Sequence, residues 1–168
     1  MSFSFSIEDA KIADLDAVQE IYSYYVENTI ATLEEKKPSK QDIMDNYETV
    51  LSKSLPFIVA KHEGKVVGFS YALPFRKRSA YRYTLEESIY VHKDYLRKGI
   101  ATALATDLIR KCSEVGYKQM IAVIVIDSDD YSVDFHKTVG FEEKGRLEKV
   151  GYKFNRWVDT VLMQKTLN

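Results

Sequence analysis

Tyr90-Val91-His92-Lys93-Asp94-Tyr95-Leu96-Arg97-Lys98-Gly99-Ile100-Ala101 is the stretch on which the reading of this chain turns. An aromatic and β-branched run ends at Val91, a short basic segment follows, and a helical pattern opens at a glycine. A strand that feeds a helix through a tight loop belongs to an α/β layer. Successive backbone N–H groups at a helix start, with the helix dipole behind them, attract an anion. Gly99 lets backbone approach that anion closely, and Arg97 and Lys98 add positive charge. A pyrophosphate fits such a loop, although an ordinary strand-to-helix turn with solvated charges has the same composition.

Working outward, Ile100, Leu104, Leu108, Cys112 and Val115 share one side of the helix, and Gly116 closes it as a C-cap. Met120 to Ile126 is a continuous apolar, β-branched run, which predicts a central strand covered on both faces. A short helix is expected from about Asp130 to Val139, ending at Gly140, and a last strand from Val158 to Met163. Upstream, a strand is expected over Thr84 to Val91, and 57–73 reads as a β-hairpin turning at His62-Glu63-Gly64-Lys65. Before it come two helices. Residues 15–28 carry an apolar stripe of Leu15, Val18, Ile21, Tyr22, Tyr25 and Val26 with Asp14 as N-cap. The second starts at Lys40 behind an acidic capping box of Ser39 and Asp42. A weak first strand is placed near Phe5 to Glu8. The order β-α-α-β-β-β-α-β-α-β predicts one α/β domain over residues 1–168 with a mixed central sheet flanked by helices. A dinucleotide-binding fold needs regular alternation and a glycine fingerprint after the first strand, and neither is present.

Composition narrows the function. The chain is 45% apolar and 29% charged with net charge −1, an ordinary globular balance that gives no global reason to expect nucleic acid or an anionic membrane as partner. No run approaches the length of a membrane span and no targeting signal stands out, so a cytoplasmic location is the default. His62, His92 and His136 are scattered without metal-ligand spacing, and Cys112 has no second cysteine to pair with.

Lys98-Gly99-Ile100-Ala101 after a Tyr-Val strand end resembles the acetyl-CoA loop of the GNAT superfamily of N-acetyltransferases, which reads Arg/Gln-x-x-Gly-x-Gly/Ala; Leu96 departs at the first position. Pro74 to His92, Asn28-Thr29-Ile30-Ala31-Thr32 and Val150 to Asp159 resemble the phosphinothricin and methionine sulfoximine/sulfone acetyltransferases, in family order along nearly the whole chain. The resemblance implies a GNAT fold, acetyl-CoA as donor without a metal, a small amino-acid-like amine as acceptor, and a homodimer.

It also implies a site. Strict alternation puts Leu85, Glu87, Ile89 and Val91 on one face of their strand and Thr84, Glu86, Ser88 and Tyr90 on the other. Glu86 stands where the family carries its catalytic carboxylate, to take the proton of the substrate ammonium directly or through water. Glu87 falls among apolar neighbours, which a β-bulge would relieve. His136 matches a family histidine near the cofactor, with a catalytic role at the thioester or the leaving thiolate. The cofactor site takes in Tyr90, Val91 and His92 at the strand end, then Arg97, Lys98 and Gly99. It continues through Ile100, Ala101, Thr102 and Ala103 to Asp129, which replaces a family Asn, and Ser132. Arg78 would clamp the acceptor's carboxylate, with Tyr81 and Lys153 as further donors. Cys112 lies on an apolar stripe and reads as core. The rival readings are acetylation of a protein N-terminus or a polyamine, and a non-catalytic acyl-CoA-binding module.

Overall fold

The computed structural model describes residues 3–127 and 131–168. Its elements are β1 (Ser6–Asp9), α1 (Leu15–Asn28), α2 (Lys40–Ser52), β2 (Phe57–His62), β3 (Lys65–Pro74), β4 (Thr84–Val91), α3 (Ile100–Val115), β5 (Gln119–Ile126), α4 (Tyr131–Thr138), β6 (Glu142–Lys153) and β7 (Arg156–Thr166). The strands form one sheet in the order β1-β2-β3-β4-β5-β7-β6. Only β4 and β5 run parallel; the other neighbours are antiparallel.

Helices α1 and α2 pack on one face of β2 to β4, and α3 packs on the other. Gly68 decides how close α3 comes. A Cβ built there would meet Ile100 Cγ2, Leu104 Cδ1 and the Tyr90 carbonyl oxygen, each at 3.1 Å. Ile100, Leu104, Leu108 and Cys112 are buried against the sheet as expected, but Val115 at the helix end is 50% exposed and leaves the stripe. The hairpin turn holds its register, with His62 paired to Lys65 and both Glu63 and Gly64 at positive φ.

Several expectations change. Asp14 precedes α1 but does not cap it. Its carboxylate accepts from the Lys11 N–H at 2.8 Å and pairs with Lys61 at 3.1 Å, because a short 3₁₀ turn over Ile12–Asp14 brings the chain back on itself. Ser39 and Asp42 do form the reciprocal capping box. Strand β5 is central but not fully covered on both faces: Met120, Ala122, Ile124 and Ile126 are buried, while Val123 is 39% exposed. No bulge relieves Glu87, since β3 and β4 pair in unbroken register from Gly68–Val91 to Pro74–Leu85. Strand β6 was not expected at all. Its side chains are exposed on both faces as far as Val150, and backbone pairing to β7, with two register shifts, holds it in place. The expected start of the short helix at Asp130 lies outside the described residues, and α4 is described from Tyr131.

The tight seat of α3 yields a prediction. Gly68→Val should lower stability by about 1–3 kcal/mol, seen as a lower urea midpoint with an unchanged slope.

Candidate active site

Parallel pairing between β4 and β5 lasts for three residue pairs, Thr84–Gln119, Leu85–Met120 and Glu86–Ile121. Beyond Glu86 the strands part. On its other edge β4 stays paired with β3, and the His92 N–H reaches the Val67 carbonyl at 2.8 Å. Alternation along an antiparallel pair then points the N–H groups of Ile89 and Val91 away from β3, into the gap. The gap therefore has a carboxylate at its vertex and strand amides along one wall.

The mouth of the gap is the start of α3. Gly99 takes a left-handed conformation at φ 83° with nothing within 4 Å of where a Cβ would stand, and it makes no side-chain cap. The first helical bond runs from the Ala103 N–H to the Gly99 carbonyl at 3.1 Å, so the amides of Ile100, Ala101 and Thr102 lack intrahelical acceptors. Arg97, also left-handed at φ 59°, lies 5.6 Å over the Tyr131 ring at the start of α4, and Lys98 lies over Phe3. His92 accepts from the Asp94 N–H at 3.1 Å and so caps the 93–95 turn rather than facing the gap. The open amides, the glycine and the exposed cations fit a phosphorylated ligand. Asp129 lies outside the described residues.

On the α1 and α2 side, Glu86 is half-buried. Burial raises its pKa above the ordinary carboxylate value, the charge of Glu87 raises it further, and Arg76 opposes both. Tyr71, Tyr22 and Tyr90 surround this face. Burial raises all three phenols, which stay neutral donors near neutral pH. Tyr25 is pushed up to about 12 by burial and donates to the Val91 carbonyl, tying α1 to the end of β4. Thr32, in the loop after α1, is buried and gathers contacts: its hydroxyl meets the Tyr22 hydroxyl at 2.9 Å and accepts from the Glu34 N–H at 3.2 Å.

Lys153, expected to touch the acceptor, is 3% exposed and donates from Nζ to the Thr32 carbonyl at 2.8 Å. It fixes the loop after α1. Beside it Gly151 leaves room for Leu33, which a Cβ would meet at 2.9 Å. Arg78 and Tyr81 line an open depression of about 630 Å³ with Phe75, Arg76 and Lys77. Of the cations in that loop, Arg76 is the one whose charge reaches Glu86. A second depression of about 540 Å³ lies at the far end of α3 from Gly99, among Asp9, Leu51 and Lys111, remote from this chemistry.

His136 and Glu87 sit on the other face of β4. His136 Nε2 meets Glu87 Oε1 at 2.7 Å and Nδ1 meets the Ser132 carbonyl at 2.7 Å. A carbonyl only accepts, so Nδ1 carries a proton. The expected role of His136 at a thioester or thiolate needs a free ring nitrogen, and here both are engaged. Parity alone marks Glu87 as out of place among apolar residues and as the alternative base to Glu86; its pairing with His136 is visible only in the fold. Ser132 enters through its carbonyl, as the acceptor that orients the imidazole.

Residues 18–141 match the model of the acetyltransferase (GNAT) family. The chain belongs to the acetyltransferase (GNAT) family. Among GNAT relatives, the phosphinothricin N-acetyltransferase of Alcaligenes faecalis is 39% identical over 155 residues, covering 92% of this chain and 79% of the relative. The L-methionine sulfoximine/L-methionine sulfone acetyltransferase of Pseudomonas aeruginosa is 33% identical over 166 residues, covering 98% and 96%. The crystal structure of a GNAT superfamily phosphinothricin acetyltransferase from Sinorhizobium meliloti in complex with AcCoA superposes with TM-score 0.95 at 39% identity, covering 99% of this chain and 90% of that one.

The buried pair predicts a pH dependence of stability. Burial works against the imidazolium, but the hydrogen bond and charge of Glu87, with the Ser132 carbonyl, outweigh it and raise His136 above its ordinary 6.5. The folded state then binds the proton more tightly, so this contribution is full below 6.5 and fades as pH rises through the folded value. Glu86, also raised, gives its own loss starting at more acid pH, from its ordinary 4.5 upward. Urea midpoints should therefore fall as pH rises above the ordinary imidazole value, and Glu87→Gln should remove that fall.

Proposed function

We propose that this GNAT protein transfers the acetyl group of acetyl-CoA to the α-amine of a small amino-acid-like acceptor, such as phosphinothricin or methionine sulfoximine or sulfone, by direct attack in a ternary complex. One observation carries the reading: Glu86 stands at the vertex where β4 and β5 part, beside the amide-lined gap and within reach of the Arg76 charge. When bound, acetyl-CoA supplies the thioester that the amine attacks. The amides of Ile100, Ala101 and Thr102, with Arg97 and Lys98, hold phosphate oxygens at the start of α3. The Val91 amide donates to the carbonyl oxygen as negative charge builds on it.

On the other side of the vertex, Arg78 and Arg76 bind the acceptor's carboxylate, and Tyr81 lends a hydroxyl. Lys153 acts one step back, by holding the Thr32 loop against Tyr22 and Tyr90. Glu86 accepts the ammonium proton, directly or through a water. Its raised pKa narrows the gap to an ordinary amine, which makes that transfer easier. The location consistent with this small-molecule chemistry is the cytoplasm.

A homodimer completes the proposal. At the tip of the β6–β7 hairpin Tyr152, Phe154 and Trp157 are 50%, 50% and 62% exposed, with the Tyr152 and Trp157 rings 4.8 Å apart. Exposed aromatics beside Arg156 are the composition of an interface anchor. Light scattering at micromolar concentration should give the dimer mass, and Trp157→Ala should shift it toward the monomer. A monomeric wild type refutes this part.

The activity is tested by thiol release from acetyl-CoA across a panel of phosphinothricin, methionine sulfone, methionine sulfoximine, methionine, spermidine and N-terminal peptides. The sulfone or sulfoximine should exceed methionine in kcat/KM by at least about tenfold, because a thioether is only a weak acceptor for the Tyr81 hydroxyl and the neighbouring guanidinium groups. Glu86→Gln should lower kcat by roughly 10²- to 10⁴-fold with acetyl-CoA binding retained. A preference for spermidine or a peptide N-terminus overturns the acceptor reading. Binding without release under any condition points instead to an acyl-CoA-binding module.

A further inference from the structure

Glu86 and Glu87 are consecutive, so β4 turns their carboxylates to opposite faces of the sheet. Glu86 opens toward α1 and α2. Glu87 points into the layer under α3 and α4, where its side chain is 5% exposed and that of His136 is 7% exposed. One Glu87 oxygen is bound by His136 at 2.7 Å; the other, Oε2, is buried without a hydrogen-bond partner. The aromatic ring of Phe141 packs edge-on against the imidazole with centroids 5.1 Å apart.

A buried ion pair of this kind is a poor device for stability. Apolar side chains of the same volume commonly hold a core as well or better, because both ions must be stripped of water. An unpartnered carboxylate oxygen makes the arrangement costlier still. The pair therefore calls for a reason outside packing, and its position supplies one. The anionic end is one residue from Glu86, while the imidazolium lies a further side chain away. Glu86 thus faces the negative end of the pair through a thin, water-poor sheet.

We propose that Glu87, held in place by His136, is a positioning residue that keeps a fixed negative charge behind Glu86 and so strengthens Glu86 as the base. The inference rests on the reading of Glu86 given above. The other groups around the two carboxylates leave the sign of the effect unchanged. Arg76, from the loop after β3, works against it from the pocket side. Tyr71 of β3, Tyr90 of β4 and Tyr22 of α1 are neutral near neutral pH, since burial raises each phenol. His136 of α4 is bound to Glu87 Oε1, and that bond and the charge of Glu87 raise the imidazole above its ordinary value. The direction found for Glu86, upward from burial and then from Glu87, agrees with the geometry.

The test separates charge from shape. Glu87→Gln keeps the side-chain length and leaves a hydrogen-bonding group for His136 Nε2 while removing the charge. The readout is the carboxyl carbon resonance of Glu86, followed by NMR against pH in the protein without ligands and assigned by its loss in Glu86→Gln. Its midpoint should fall by at least about half a pH unit in Glu87→Gln, the size expected for one charge at this separation partly offset by the imidazolium. His136→Gln, which takes away the ring that holds Glu87 in place, should also displace the midpoint from its wild-type value. Two independent variants keep the outcome readable if one of them folds poorly by circular dichroism. The acid limb of kcat/KM should shift downward with the NMR midpoint. An unmoved midpoint in folded Glu87→Gln overturns the proposal and leaves the pair as a link between α4 and β4. A midpoint that moves while the rate profile stays fixed upholds the tuning and overturns the assignment of Glu86 as base.

Discussion

The early end of parallel pairing between β4 and β5 is the constraint around which the molecule is arranged. A sheet that keeps its ladder closed has every interior backbone group satisfied and no room for a ligand. Here the ladder stops at Glu86, and the strands part as α3 seats itself on the bare backbone of Gly68. Antiparallel pairing with β3 carries β4 on to Val91 without support from β5. That one-sided support turns part of a structural ladder into a row of donors. The open helix start beyond it extends the row. Both arise from backbone geometry, so a change such as Leu96 in the loop leaves them in place.

Strand parity does the rest of the sorting. Two adjacent carboxylates are sent to different solvents: one to a half-open pocket ringed by neutral phenols, the other to a packed layer with a single imidazole for company. Around the first, Thr32 acts as a junction between α1, β4 and the β6–β7 hairpin, taking contacts from Tyr22 and Lys153. The pocket's wall is thus assembled from segments 121 residues apart in sequence, and Lys153 contributes to its shape from behind.

Much of this was legible in the chain. The Ser39 capping box, the Glu63-Gly64 turn and the Gly99 and Gly116 caps are local chemistry, and each formed where its residues predicted. The family resemblance pointed to the Gly99 loop and to Glu86, and the fold sets both at the gap between β4 and β5. What escaped depends on partners distant in sequence. Strand β6 has no face of its own to bury, so its charged run carries no period, and only pairing with β7 makes it a strand. The exposure of Val123 could not be told from a doubly covered run, because coverage by helices is a tertiary fact. Glu87 announced itself by wrong parity, yet its partner lies 49 residues downstream. Arg76 and Arg78 look alike on paper, and only the fold of the loop that carries them brings the first within reach of Glu86.

Cys112 has one more consequence. It is fully buried on the sheet-facing side of α3, and burial lifts its thiol to about 12, far from the thiolate form that reacts. The folded chain therefore offers no reactive thiol of its own to oxidants or to thiol-specific dyes. It is spared the sulfenic acid and mixed-disulfide chemistry that exposed cysteines undergo, and it has no sulfhydryl through which two copies could crosslink. A colorimetric count of free sulfhydryl in a reaction mixture of the native protein records the coenzyme liberated and nothing from the catalyst.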